Sequence, residues 1–225
     1  MTSEAHRASV KPGSKVPRNA TTVGFALHWL RERKLMGTSM ETWPRRHRIT
    51  VDEYYRMAEV GLLAPDARVE LIEGEIIDMP PIGPLHGSVV DKLNHRLVHA
   101  VGARAIVRVQ GAVRLSRATE PQPDIALLVP HADFYRAGHP TGANTFLVIE
   151  VSDSTLRFDR DVKIPLYARH GVPEVWIVDL QASRIVFYRS PADDKYLEQS
   201  STVAPGETRI MALPDLIVDL SHLLE

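Results

Sequence analysis

The pattern of apolar and polar residues predicts one clear helix, and signals at helix ends predict two more. The clearest helix covers residues 86–101, where the apolar residues lie three or four apart: Val89, Val90, Leu93, Leu97, Val98 and Val101. A capping box formed by Thr50 and Glu53 predicts a shorter helix that runs toward residue 60. A third helix is predicted over residues 158–170, because Gly171 follows it as a stop signal.

Short apolar or alternating runs between these helices predict strands. Two of them, residues 68–72 and 75–79, flank Glu73-Gly74 and predict a hairpin. The other predicted strands cover residues 105–115, 123–129, 146–151, 175–179 and 184–188, with one or two short strands in the tail. Their order predicts an α/β core in which strands 146–151 and 175–179 are parallel and are joined by the third helix.

Composition limits the classes of protein that fit. The 225 residues suit one globular domain with an appendage, and the absence of cysteine excludes disulfides and cysteine-based metal sites. No apolar run is long enough to cross a membrane, and the polar N-terminus lacks the apolar segment of a secretory signal. We therefore expect a cytoplasmic protein without membrane contacts.

Charge is distributed unevenly, which separates an N-terminal extension (1–48) from a domain (49–225). The extension has ten Lys and Arg residues against three Asp and Glu, and the rest of the chain has 17 against 25. A basic arm of this kind can contact nucleic acid, or it can be a solvated and partly disordered leader. A translation start at Met36 or Met40 is the third interpretation, and the sequence does not separate the three.

Two acidic residues occupy strand ends where a charge is costly. Asp124 opens the apolar strand 123–129, and Glu150 comes near the end of the strand 146–151. Together with the carbonyl oxygen of Val151, these carboxylates would form an all-oxygen site suited to Mg²⁺ or Mn²⁺. The alternative is that both acids are ordinary caps or ion-pair partners.

Asp159, Lys163 and Tyr167 are spaced four residues apart and so share one face of the third predicted helix. Because this helix starts soon after Glu150, it can bring Lys163 toward the two acids. A lysine in that position would stabilise negative charge that develops on a phosphate or would position an attacking water. The alternative is an exposed Asp–Lys pair that contributes only a few tenths of a kcal/mol.

These residues occur in an order that resembles a known family. The motifs are Glu70-Leu71-Ile72-Glu73-Gly74-Glu75, His86, Pro123-Asp124, Glu150-Val151-Ser152, Ser154-Thr155, Asp159, Lys163, Tyr167, Gly171-Val172 and Glu174-Val175-Trp176-Ile177-Val178-Asp179. Together, over residues 49–188, they are similar to the putative restriction endonuclease (Uma-two) family of the PD-(D/E)XK nuclease superfamily. The resemblance implies a restriction-endonuclease-like core, a mixed sheet flanked by helices, and divalent-metal cleavage of DNA.

The resemblance also implies roles for individual residues. Asp124 and Glu150 would hold the metal, but Ser152 stands where the family motif has a lysine, and serine is too short and too weak a base to replace it. Related nucleases take this lysine from the following helix, and Lys163 is the candidate here. If Lys163 does not reach the site, a nucleic-acid-binding or assembly protein that has lost turnover becomes the better interpretation.

Further residues complete the predicted site. Glu70 would be an additional acid near the metal, with Glu73 and Glu75 as rivals. His86 would contact phosphate or tune a carboxylate, Ser152 and Asp159 would support the site, and Gln110 would line the cleft. Cations that could follow a nucleic-acid backbone, or form a solvated helix face, are Arg157, Arg160 and Arg169.

A zinc site is the third alternative, because His95 and His99 have the HxxxH spacing of zinc-binding helices. Arg96 occupies the position of the general-base glutamate in such helices, and no third ligand is evident.

The oligomeric state is predicted only by analogy with other proteins of the implied fold. On that analogy, we expect a homodimer that spans a DNA duplex.

Overall fold

The computed structural model describes residues 44–225, so the predicted extension 1–48 lies almost entirely outside the described residues. All elements given below belong to the unit His47–Glu225. Among residues 44–225, no helix is both long enough and apolar enough to cross a bilayer.

The helices of this unit are α1 (Val51–Glu59), α2 (Pro84–Val101), α3 (Leu156–Phe158) and α4 (Ile164–Arg169), with a π-helical turn (Asp159–Lys163) joining α3 to α4. The strands are β1 (Val69–Ile72), β2 (Glu75–Asp78), β3 (Ile106–Val109), β4 (Ile125–Leu128), β5 (Thr145–Ser152), β6 (Glu174–Asp179), β7 (Arg184–Ala192), β8 (Lys195–Thr202), β9 (Glu207–Ile210) and β10 (Leu213–Asp219). Two 3₁₀ turns cover Gly102–Arg104 and Gly142–Asn144.

Six strands form one mixed sheet in the order β3-β4-β5-β6-β7-β8. Strands β5 and β6 are parallel, and every other pair of neighbours is antiparallel. The helical segment from α3 to α4 connects the parallel pair, as the sequence predicted. The mixed sheet flanked by helices confirms the predicted fold class.

The two faces of the sheet pack against different helices. Leu147, Ile149 and Val151 of β5 pack in the same cluster as the apolar face of α2, whereas Val148 packs in the cluster that includes α4. Because side chains alternate along a strand, Glu150 lies on the same side as Val148. The pattern of β5 therefore directs one carboxylate toward the helical segment that carries Lys163.

Strands β1 and β2 form the predicted hairpin, which is a separate two-stranded sheet. At its turn, Glu73 and Gly74 have φ angles of 49° and 80°. Positive φ at both central residues is typical of the type I′ turn that joins two-residue hairpins. The local sequence thus determines this hairpin, which carries Glu70.

Replacing Gly74 with alanine is expected to lower the free energy of unfolding by about 2–4 kcal/mol. Alanine would have to adopt a positive φ at this position, which an L side chain disfavours. Its Cβ would also lie 2.6 Å from the Cβ of Arg48. Gly61 provides a matched control, because its φ is 77° but no atom lies within 4 Å of the added Cβ. Gly61→Ala should lower the free energy of unfolding, measured in urea, by only about 1 kcal/mol. An equal loss in Gly74→Ala and Gly61→Ala would show that the contact with Arg48 has no effect.

Three details differ from the sequence-based expectations. Val98 of α2 is 49% exposed and does not belong to the buried face of the helix. The strand predicted over residues 105–115 is limited to β3, because Gln110 adopts a positive φ of 48° immediately after it. The tail was underpredicted, because three strands, β8 to β10, follow an extended β7.

Candidate active site

Lys163 is the centre of a buried cluster of charged residues. Its side chain is 2% exposed, and its Nζ donates a hydrogen bond to Glu70 Oε1 at 3.0 Å. The same Nζ lies 3.3 Å from Glu150 Oε1 and 3.7 Å from Asp159 Oδ1. Lys163 therefore reaches the acids, and the interpretation of Asp159 and Lys163 as an exposed surface pair is wrong.

The π-helical turn places Lys163 and Asp159 on the same side. Asp159 Oδ2 accepts hydrogen bonds from the hydroxyl groups of Ser152 at 2.8 Å and Thr155 at 2.7 Å, which leaves Oδ1 for Lys163. Ser152 is fully buried and contacts Asp159 through its hydroxyl group. Ser152 thus holds Asp159 in place, and Lys163 approaches the acids from the helical segment.

Glu150 is shared by two donors. Its Oε1 accepts a hydrogen bond of 2.6 Å from the hydroxyl of Tyr167, in addition to the contact with Lys163. Burial raises the pKa of the Glu150 carboxyl to about 8, and the Lys163 ammonium only partly opposes this rise. A buried carboxylate of this kind is readily neutralised, either by a proton or by a cation.

The charge on Lys163 is maintained by its neighbours. Burial disfavours the ammonium form, but Glu150, Glu70 and Asp159 together raise the pKa of Lys163 above its ordinary value. The pKa of Glu70 is raised as well, mainly by burial. One ammonium thus faces three carboxyl groups, more than it can neutralise when all three are ionised.

Glu70 enters the cluster from β1. Its Oε1 accepts the backbone N–H of Gln122 at 3.2 Å as well as the bond from Lys163. Its other oxygen, Oε2, is buried and has no hydrogen-bond partner within the described part of the chain. An unpaired buried carboxylate oxygen is costly, so this atom indicates a position where a water or a cation would be stabilised.

Asp124 stands beside this cluster at the start of β4. Its Oδ2 accepts the backbone N–H of Val151 at 2.9 Å, and His86 Nε2 lies 3.2 Å from the same oxygen. The hydrogen bond between His86 and Asp124 raises the pKa of His86, although burial acts in the opposite direction. The amide of Gln110 approaches Asp124 Oδ1 at 3.4 Å, so Oδ1 is the less committed of the two oxygens.

One cavity of about 70 Å³ unites these groups. The predicted site residues that line it are Glu70, His86, Asp124, Glu150, Val151, Asp159 and Lys163. Gln110 instead lines an adjoining cavity of about 160 Å³, which also touches Glu70 and Asp124. Ser152 lines neither of the two cavities and acts on them through Asp159.

Several other candidates lie away from the cavity. Glu73 forms an exposed ion pair of 2.9 Å with Arg169, and Glu75 pairs with Arg48 at 3.8 Å. Arg160 pairs with Asp161. Glu70 is therefore the acid of its segment that reaches the cluster.

The histidines considered for zinc lie on the exposed side of α2. The rings of His95 and His99 contact each other with centroids 4.5 Å apart. Among residues 44–225, no group of three or more His, Cys, Asp or Glu side chains is arranged to hold a metal ion. The described part of the chain thus offers no third ligand for zinc at this pair.

Sequence reasoning did not select two residues that contact the cluster. Tyr167 follows Lys163 by four residues and so shares its helical face. This spacing is the signal in the sequence for the hydrogen bond from the Tyr167 hydroxyl to Glu150. Gln122 immediately precedes Pro123-Asp124, but nothing in the sequence indicates that its backbone N–H bonds Glu70.

The oxygen donors present are of the chemical type that Mg²⁺ prefers. The predicted ligands are two carboxylates and one main-chain oxygen, and Mg²⁺ is commonly bound by one or two carboxylates with waters completing its coordination. The unpaired Oε2 of Glu70 and the excess of carboxylates around Lys163 also favour a cation here.

Comparisons with known proteins concern the fold and the family of the chain. No curated protein sequence matches the chain significantly. A crystal structure from Anabaena variabilis, described as a putative nuclease belonging to DUF820, superimposes with a TM-score of 0.59 at 19% identity. The match covers 78% of this chain and 97% of that one, and it shows a shared fold. Residues 51–221 match the Uma2 family, described as putative restriction endonuclease, and the chain belongs to this family.

Proposed function

We propose that this protein is a metal-dependent endonuclease that hydrolyses phosphodiester bonds of DNA. Family membership supports a nuclease function in general. The observation that carries the finer proposal is the position of Lys163, which contacts Glu70 and Glu150 in the cavity that Asp124 also lines. Acids and a lysine gathered in this way suit phosphoryl transfer, in which positioning and electrostatic stabilisation do most of the work.

Asp124, Glu150 and the carbonyl oxygen of Val151 would hold Mg²⁺ or Mn²⁺. When bound, such a cation supplies Lewis acidity and lowers the pKa of water. The backbone N–H of Val151 and the ring of His86 hold Asp124 Oδ2, which fixes the orientation of this carboxylate. Tyr167 does the same for Glu150.

Lys163 would stabilise the negative charge that develops on the phosphate in the transition state. Its ammonium is held by carboxylates on three sides, so it is positioned before substrate binds. Glu70 would keep the lysine in the cavity and provide a further acceptor through Oε2. Asp159, supported by Ser152 and Thr155, would orient the lysine from the helical side.

A DNA-binding or assembly protein without turnover is the second candidate. It is favoured by the replacement of the motif lysine by Ser152, and by the close pairing of Lys163 with acids. In this case, the protein would bind DNA in a salt-sensitive manner and leave it intact.

The assay that separates the candidates measures cleavage of plasmid and single-stranded DNA. We expect the purified protein to cleave DNA with Mg²⁺ or Mn²⁺ and to lose this activity when a chelator is added. Activity should return when Mg²⁺ is restored in excess. Cleavage that persists unchanged in the chelator would contradict the metal-dependent mechanism, and binding without cleavage under all conditions would favour the second candidate.

The proposal also includes the binding partner, the oligomeric state and the cellular compartment. The domain carries a net negative charge, which favours local contacts with DNA over a broad basic surface. We propose DNA as the substrate, a homodimer as the form that spans a duplex, and the cytoplasm as the compartment. Light scattering of the purified protein, alone and with a short duplex, tests the oligomeric state.

A further inference from the structure

A phosphate that approaches the cavity meets mainly acidic walls. Its walls carry the carboxylates of Glu70, Asp124, Glu150, Asp153 and Asp159. Lys163 also lines the cavity, but its charge is already offset by three of these acids. Without a bound metal ion, these walls repel a negatively charged backbone unless a further positive group stands at the entrance.

Arg68 is such a group. It lines both the 70 Å³ cavity and the adjoining 160 Å³ cavity, and its side chain is exposed. It precedes Glu70 by two residues, and its backbone carbonyl accepts the N–H of Met79, so it continues the pairing of the β1–β2 hairpin. Arg68 thus stands next to the buried acids while remaining accessible from outside.

The guanidinium of Arg68 is held in place but is not neutralised. Its Nη1 donates a hydrogen bond to the carbonyl oxygen of Pro80 in the loop that borders the cavity. Within the described chain, no carboxylate forms an ion pair with it. An arginine has five N–H donors in a planar fork, so most of them remain available for a phosphate.

The start of α2 adds a second positive feature at the same cavity. The N-cap residue, Gly83, lines the cavity and has no side chain to cap the helix. The first turn of this 18-residue helix contains no acidic residue. Pro84 at the first position has no N–H to donate, so the helix dipole and the N–H groups that follow Pro84 are what favour an anion at this end.

We propose that Arg68, together with the N-terminal turn of α2, binds a backbone phosphate of the nucleic acid next to the bond that is cleaved. The assignment of this phosphate to a cleaved strand rests on the proposed function. The contact itself is a binding event that can be measured without cleavage. Arg68 is therefore a substrate-binding residue, separate from the acids that would hold the metal.

The experiment measures affinity for a fluorescent single-stranded oligonucleotide in the presence of chelator, at a series of salt concentrations. Arg68→Gln retains a donor for the Pro80 carbonyl but removes the charge. We expect it to weaken binding about 10-fold to 100-fold and to reduce the slope of log affinity against log salt by about 0.7, the contribution of one phosphate in a single strand. Arg68→Lys should preserve most of the salt slope but bind more weakly than wild type, because it lacks the fork.

Arg48→Gln is the matched control. Arg48 is also an exposed arginine whose Nη1 bonds a backbone carbonyl of the hairpin, that of Glu73, but it lines neither cavity. Its replacement should leave affinity and salt slope unchanged, and thermal unfolding verifies that all variants are folded. Unchanged binding in folded Arg68→Gln, or an equal loss in Arg48→Gln, overturns the proposal.

A parallel cleavage assay with Mg²⁺ separates this proposal from the proposed function. If wild type cleaves DNA and the Arg68→Gln variant has the same KM as wild type, the phosphate site is overturned and the endonuclease is not. Binding that depends on Arg68 without any cleavage by wild type overturns the endonuclease and supports the phosphate site. A wild-type protein that neither binds nor cleaves overturns both.

Discussion

Replacing Lys163 with methionine is expected to lower the free energy of unfolding by about 3–5 kcal/mol, because it removes the cation from a buried cluster of acids. Methionine has a similar length and flexibility, so the change mainly removes charge. Glu70, Glu150 and Asp159 would then be left at 4% side-chain exposure or less without their ammonium partner. Urea unfolding followed by circular dichroism measures this loss.

Lys195→Met is the control for this prediction. Lys195 lies on β8 and is exposed, so its replacement should change stability by no more than about 0.5 kcal/mol. If Lys163→Met is too unstable to study alone, the double variant with Glu70→Gln removes one of the uncompensated acids. Glu70→Gln should cost less stability in the Lys163→Met background than in wild type. Equal stability of Lys163→Met and Lys195→Met would contradict the buried cluster.

Replacing Asp124 with asparagine is expected to reduce the rate of DNA cleavage on the order of 10³-fold, while the protein stays folded. The amide oxygen of asparagine can still accept the N–H of Val151, so the local structure is preserved. The lost negative charge removes a ligand for the proposed cation, and charge stabilisation of several kcal/mol corresponds to a factor of this size. Initial rates with saturating Mg²⁺ measure the effect.

Asp153→Asn makes the same chemical change on the same cavity wall. Asp153 is exposed and is hydrogen-bonded to Gln181, so its replacement should keep the rate within about twofold of wild type. A comparable loss in both variants would show that the total charge of the wall matters and that Asp124 has no special role. A fully active Asp124→Asn variant would remove Asp124 from the proposed metal site.

The sequence predicted those parts of the site whose position depends on local patterns. The alternation along β5 places Glu150 on the face opposite to Ile149 and Val151, and the four-residue spacing puts Lys163 near Asp159. The turn residues Glu73 and Gly74 determine the hairpin that carries Glu70. In each case, neighbours within a few residues are sufficient to fix the geometry.

Features that depend on distant segments could not be predicted in this way. The choice of Glu70 over Glu73 and Glu75 follows from the docking of the hairpin against Gln122 and Lys163. Pro165 follows the π-helical turn and disturbs the helical hydrogen bonds, but a proline alone does not specify a π turn at residues 159–163. The exposure of Val98 and the three strands after β7 likewise depend on how remote parts of the chain pack.

The bond between Lys163 and Glu70 joins residues 93 positions apart in the chain. During synthesis from the N-terminus, the β1–β2 hairpin leaves the ribosome long before the helical segment from α3 to α4. A nascent polypeptide that ends before this segment lacks the ammonium, so it cannot hold the acids in their final arrangement. The cluster can therefore assemble only late in biogenesis, and an incompletely translated chain lacks it.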